Sequence, residues 1–124
     1  MPKHNSADIQ SFRDLDVWQI SMDLVVEIYQ LSKAFPADER FGLTAQIRKA
    51  AISIPTNIAE GQCRTGSGEF GHFLSIARGS TGEVETELLI AERLDYLRHE
   101  SIAATLDRTD HISRMLTNLR RSLK

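Results

Sequence analysis

The stretch FGLTAQIRKAAISIPTNIAEG, residues 41–61, decides the fold. In it Leu43, Ile47, Ala51, Ile54 and Ile58 recur at steps of four, four, three and four residues. That is the period at which side chains return to one face of an α-helix. The spacing predicts an amphipathic helix of about 22 residues ending near Gly61. Pro55 stands inside the run. A proline in a helix interior removes the hydrogen bond to the carbonyl four residues back, here that of Ala51, and bends the axis. The apolar spacing passes Pro55 without slipping, so one helix kinked at Pro55 is expected rather than two. Asn57 flanks the stripe, where its amide is expected to satisfy the carbonyl freed by Pro55 or one across an interface. Lys49, Ser53, Thr56 and Glu60 share the opposite face, which reads as solvated.

Toward the N-terminus, LDVWQISMDLVVEIYQLSKAFP carries Val17, Leu24, Val25, Ile28, Leu31 and Phe35 at three- and four-residue steps. These mark a first helix, with Asp14 and Asp16 at the positive end of its dipole and Pro36 ending it. PADER then forms a turn in which Asp38 is the expected N-cap of the second helix. Residues 1–13 are polar and read as a flexible arm, which leaves 14–124 as the folded domain. Toward the C-terminus, GQCRTGSG is a loop. A third helix is expected from Glu69 to about Tyr96, with Phe70, Phe73, Leu74, Ala77, Val84, Leu88 and Ala91 on one face. A fourth begins near Ser101 and presents Ile102, Leu106, Ile112, Leu116, Leu119 and Leu123. No segment alternates with the period of a half-buried strand. The expected fold is all-α: an antiparallel up-and-down four-helix bundle with short connections.

Composition narrows the function. The 124 residues are 41% hydrophobic and 26% charged, which excludes a disordered chain. Apolar runs fall far short of the roughly 20 residues that span a bilayer, so no membrane partner is expected. One cysteine, Cys63, makes no internal disulfide, and the N-terminus offers no apolar core of a signal peptide. Both features point to a reducing, cytoplasmic setting. A net charge of −2 provides no global field for a polyanion.

A second stripe on the third helix is unusual. Gly71, Ser75, Gly79, Gly82 and Thr86 follow at steps of four, four, three and four. They span about 80° and lie about 140° from the main apolar stripe. Each helical glycine costs about 1 kcal/mol relative to alanine. The stripe is therefore read as a contact face for a second protomer, where close backbone approach offsets that cost.

Charge is also uneven. Glu83, Glu85, Glu87, Glu92 and Asp95 crowd the second half of the third helix, and Arg114, Arg120, Arg121 and Lys124 the end of the fourth. Pairing of that basic end with the acidic neighbour is the favoured reading. Contact with nucleic-acid phosphate is the alternative, weakened by the acidic net charge and the absence of interleaved aromatics.

Catalytic and metal motifs are poor. Glu69 and His72 have the Glu-x-x-His spacing of di-iron bundles but lack the second copy and the further carboxylates. Cys63 lies beside Arg64, which lowers a thiol's pKa, yet no sequence feature pairs it with a histidine. His4, His72, His99 and His111 are scattered. No metal, no cofactor and no catalytic residue is expected. An enzyme with a site at Cys63 or between protomers is the weakest of the three readings.

The segment SIPTNIAEG around Pro55, the Trp18 helix and EFGHFLSIARGSTGEVETELLIAERLDYL together resemble the bacterial four-helix-bundle proteins encoded within intervening sequences of 23S rRNA genes. The resemblance covers about residues 12–97 and implies an antiparallel bundle and a ring-like homopentamer. It implies no enzymatic activity, cofactor or catalytic residue set. A related group, the accessory variability proteins of diversity-generating retroelements, binds a reverse transcriptase and nucleic acid. Those relatives are basic, whereas this chain has a pI near 6.1. The expected function is thus that of a non-enzymatic, cytoplasmic, homopentameric scaffold or adaptor, with nucleic-acid binding as the runner-up.

Overall fold

The computed structural model describes residues 11–123. Their long elements are four helices: α1 (Asp16–Ser32), α2 (Leu43–Gln62), α3 (Ser67–Arg93) and α4 (His99–Ser122). No strand occurs among the described residues. The helices touch in cyclic order, α1 to α2 to α3 to α4 and back to α1, which leaves α1 diagonal to α3 and α2 diagonal to α4. Chain neighbours run antiparallel. Gly71 near the start of α3 lies against Arg120 near the end of α4, and Glu85 farther along α3 meets Thr109 farther back on α4.

The helical period places the core correctly. Leu24 and Ile28 of α1, Ile47, Ala51, Ile54 and Ile58 of α2, Leu74, Ala77, Val84 and Leu88 of α3, and Ile102, Ile112 and Leu116 of α4 are all buried. Thr105 and Thr109 are buried as well, in the gap that the apolar stripe of α4 leaves between Ile102 and Ile112. Thr109 resolves its hydroxyl by donating to the Leu106 carbonyl at 2.8 Å, as a buried polar group must.

The boundaries differ from the sequence reading at several points, each for a local reason. Residues 1–10 of the expected arm, His4 among them, lie outside the described residues. Its last residues are part of the fold: Ser11 caps a single 3-10 turn, Phe12–Asp14. Phe12 packs edge-on against Trp18, with ring centroids 5.3 Å apart. Asp38 does not cap α2. Glu39 does, because its longer side chain reaches past the short Ala37–Glu39 turn to accept the Leu43 N–H at 3.0 Å. The other oxygen of Glu39 accepts the Tyr96 hydroxyl at 2.8 Å. The Leu43 N–H, followed by the Tyr96 hydroxyl, holds the Glu39 pKa below its ordinary value, and the same bond raises that of Tyr96.

α2 runs through Pro55 as one helix and ends at Gln62, near Gly61 as expected. Gly61 is a packing glycine: a Cβ there would lie 2.7 Å from Phe73 Cβ and 3.1 Å from a ring carbon of Phe70. Within the chain Asn57 does not serve the Ala51 carbonyl. Its amide donates to the carbonyl and hydroxyl of Ser53 at 2.8 and 2.9 Å, the residue one turn back that its side chain can reach. Ser53 in turn shares a 2.8 Å hydrogen bond with Ser80 of α3, so this part of the supposedly solvated face is an α2–α3 contact. α3 ends at Arg93 rather than near Tyr96 because Asp95 adopts a left-handed conformation, φ 63°. The Asp95 and Tyr96 N–H groups then close back onto the carbonyls of Glu92 and Ala91, the bond pair of a Schellman motif.

Candidate interaction surfaces

The antiparallel run of α3 and α4 settles where the basic end goes. The C-terminal half of α4 lies beside the N-terminal half of α3, whereas the acidic stretch Glu83–Asp95 lies beside the N-terminal half of α4. The expected pairing of the two charged stretches therefore does not form. Glu85 accepts from Thr109 at 3.3 Å and Glu92 meets His99 at 3.2 Å instead. Arg114 pairs along its own helix with Asp110 at 3.2 Å. No described carboxylate lies within ion-pair distance of Arg78, Arg120 or Arg121. Lys124 lies outside the described residues.

Two residue sets that the sequence presented separately converge here. Ser75 and Gly79 of the small-residue stripe, with Arg120 and Arg121 of the basic end, line one groove of about 780 Å³ between α3 and α4. Leu74 and Leu116 form its floor and Arg78 stands on its α3 wall, donating through Nε to Ser113 at 3.3 Å. Arg78 escaped the sequence reading, although the expected antiparallel connection already placed it opposite the end of the fourth helix. Gly71 is buried by its own chain: a Cβ there would meet Arg120 and Leu123 at 3.7–3.9 Å. It is thus withdrawn from any face open to a second protomer. Gly79 and Gly82 are exposed, with nothing within 4 Å of an added Cβ, and Thr86 is exposed beyond them.

A second surface is apolar. Trp18, Met22 and Val25 of α1 face Ile52, Pro55 and Ala59 of α2 across a groove of about 400 Å³. On its α1 side Val26 is 59% exposed, a large apolar side chain held in water at the middle of a helix. The outer side of α3 carries apolar residues of its own. Ile76 and Ile90 are exposed there at either end of a row formed with Gly79, Glu83 and Thr86.

The residues weighed for chemistry stand apart from one another. Cys63 is exposed at the end of α2. The guanidinium of Arg64 is engaged by Glu60 at 2.7 Å and Glu69 at 3.9 Å rather than turned on the thiol. His72 packs edge-on against Phe73, with ring centroids 5.7 Å apart. Among the described residues no three His, Cys, Asp or Glu side chains gather as metal ligands, and no helix is long and apolar enough to cross a membrane.

Comparison with known proteins gives a family and a fold. A family model described as 23S rRNA-intervening sequence protein matches residues 13–118. A 1.70 Å crystal structure of a protein with unknown function from the S23 ribosomal protein family of Bacteroides thetaiotaomicron VPI-5482 superposes with a TM-score of 0.78. The two chains are 24% identical, and the match covers 86% of this chain and 99% of that one. At that identity the likeness concerns the fold alone. None of the curated proteins matches the chain.

Proposed function

The chain belongs to the 23S rRNA-intervening sequence protein family, and from that premise we propose that it acts by self-assembly, as a non-catalytic cytoplasmic scaffold or adaptor. One observation carries the reading: apolar side chains are left in water on two different faces of the bundle. One is the α1/α2 groove with Met22, Val26 and Ile52 beside it, and the other is the outer side of α3, where Ile76 and Ile90 flank Gly79, Glu83 and Thr86. Contiguous exposed apolar surface marks an interaction site. α1 and α3 are diagonal in the bundle, so a contact joining these faces is heterologous. Repeated from protomer to protomer, it closes into a ring when the rotation allows. The open glycines of α3 let a protruding α1 side chain approach the helix backbone. The bend expected at Pro55 falls in the wall of the receiving groove. Five protomers is the number that the sequence resemblance supplies.

Light scattering on the purified chain tests this. The expected mass is about five times the 14.0 kDa protomer. Val26→Asp and Gly79→Leu each damage one face and leave the other intact, so each alone is expected to be monomeric. An equimolar mixture retains one good pair of faces and is expected to form a heterodimer. A monomeric wild-type protein at all concentrations would overturn the proposal, as would either variant keeping the full mass.

A further inference from the structure

The assembly reading makes no use of the arginines between α3 and α4. What distinguishes them is that they gather on one groove, not the lack of an ion pair alone. Arg64, Arg98, Arg108 and Arg114 each have a carboxylate within 4.0 Å, whereas Arg13, Arg40, Arg48 and Arg93 also have none among the described residues. From Phe70 to Gly82 on α3, and from His111 to Leu123 on α4, the sequence holds no Asp or Glu at all. The antiparallel fold lays these two carboxylate-free segments side by side. Arg78, Arg120 and Arg121 are thereby gathered on one groove, with no carboxylate of the described residues within ion-pair reach. Like charges brought together without compensation destabilise the folded chain, and an anionic ligand reverses that sign.

The shape of the site indicates the kind of anion. The main recess of about 780 Å³ is continuous with two others. Through Ser75 and Arg120 it opens into a recess of about 340 Å³ at the Ser67–His72 end. Through Arg78, Thr117 and Arg121 it opens into one of about 320 Å³ that reaches Asn118 and the Arg114–Asp110 ion pair, whose carboxylate is the one acidic group among the described residues that line the track. The result is a track rather than a cup. Arg114 and Arg121 alone are two helical turns apart, about 10 Å, too far for one phosphate to bridge. Gly79 keeps the track open where a longer side chain would stand in it. Arginine forks are suited to phosphate oxygens, which they grip through two parallel N–H donors. Arg78 spends only its Nε on Ser113 and keeps both terminal nitrogens free. No aromatic ring other than the His72 imidazole lines the track, so the bases have no stacking platform and the backbone is what is held.

We propose that the α3/α4 groove binds the phosphodiester backbone of a nucleic acid, with Arg78, Arg120 and Arg121 each taking a phosphate. Binding of this kind is independent of sequence and driven by counterion release. The arginines that carry it lie outside the faces proposed above for assembly, while Gly79 borders both surfaces.

The test is fluorescence anisotropy of the full-length protein with a labelled 20-nucleotide RNA, titrated from low to physiological salt. The expected result is binding that weakens steeply with salt. In Arg78→Gln and Arg121→Gln the salt slope should fall by about one each, and the double variant should bind at least about tenfold more weakly at low salt. Arg98→Gln, an exposed arginine outside the groove, is expected to bind as wild type. Absence of binding at low salt would overturn the proposal, as would equal loss in Arg98→Gln. So would displacement of the RNA by inorganic phosphate at equal phosphate concentration, because the site would then hold single anions only. Helical circular dichroism and mass by light scattering are read on each variant, so that loss of fold or assembly is told apart from loss of phosphate contacts.

Discussion

Glu87 and Gly61 show how single residues in this bundle carry opposite kinds of tension. One oxygen of Glu87 is buried without a hydrogen-bond partner. Burial, reinforced by the nearby Glu83, raises the pKa of Glu87 above its ordinary 4.5. An acid with a higher pKa folded than unfolded lowers stability when it is ionised. That penalty is full above the raised folded pKa and vanishes as pH falls below 4.5. Glu87→Gln is therefore expected to raise the urea midpoint at pH 7 and to lose that advantage in acid. A wild-type protein no less stable than the variant at pH 7 would contradict it. Gly61 has the reverse character, since nothing but hydrogen fits between α2 and the Cβ of Phe73. Gly61→Ala gains helix propensity and still should destabilise by about 1–3 kcal/mol, the usual range for overpacking, as read by chemical denaturation.

At the scale of the element, the helices were legible because their period is a property of the local sequence, and their ends were not. Leu43, Ile47, Ala51, Ile54 and Ile58 all turn inward or to the edge of the core, whatever α2 packs against. The cap of α2 required knowing that a separate 3-10 turn intervenes, so that Glu39 and not Asp38 meets the free Leu43 N–H. Likewise α3 stops at a residue with no glycine to announce it. Asp95 accepts a left-handed backbone that disfavours any side chain. Asp95→Gly is accordingly expected to stabilise the protein by roughly 0.5–1 kcal/mol, visible as a higher melting temperature. An unchanged or lower melting temperature would show that the aspartate side chain contributes there in its own right.

For the whole molecule, topology decided what composition concealed. A net charge of −2 gives no hint of a cationic groove, because the acidic and basic stretches separate onto different parts of the surface only when α3 and α4 fold back on each other. The candidate residues Arg120 and Arg121 were readable, and so were Ser75 and Gly79. That they share a groove with Arg78 was not, since it depends on which halves of two helices adjoin. The cyclic order of the helices has one more consequence, for the time course of folding. Three of its four seams join helices that are consecutive in the chain, and each closes over a short connection. The fourth, α1 against α4, is the least extensive, and closing it must draw together opposite ends of the polypeptide, the entropically slowest step. Arg108 lies across it at 3.3 Å from Glu27 and 4.0 Å from Asp23, ion pairs that make no hydrogen bond and hold the seam only weakly. The bundle is thus expected to zip in chain order and latch last, with local opening beginning at the latch.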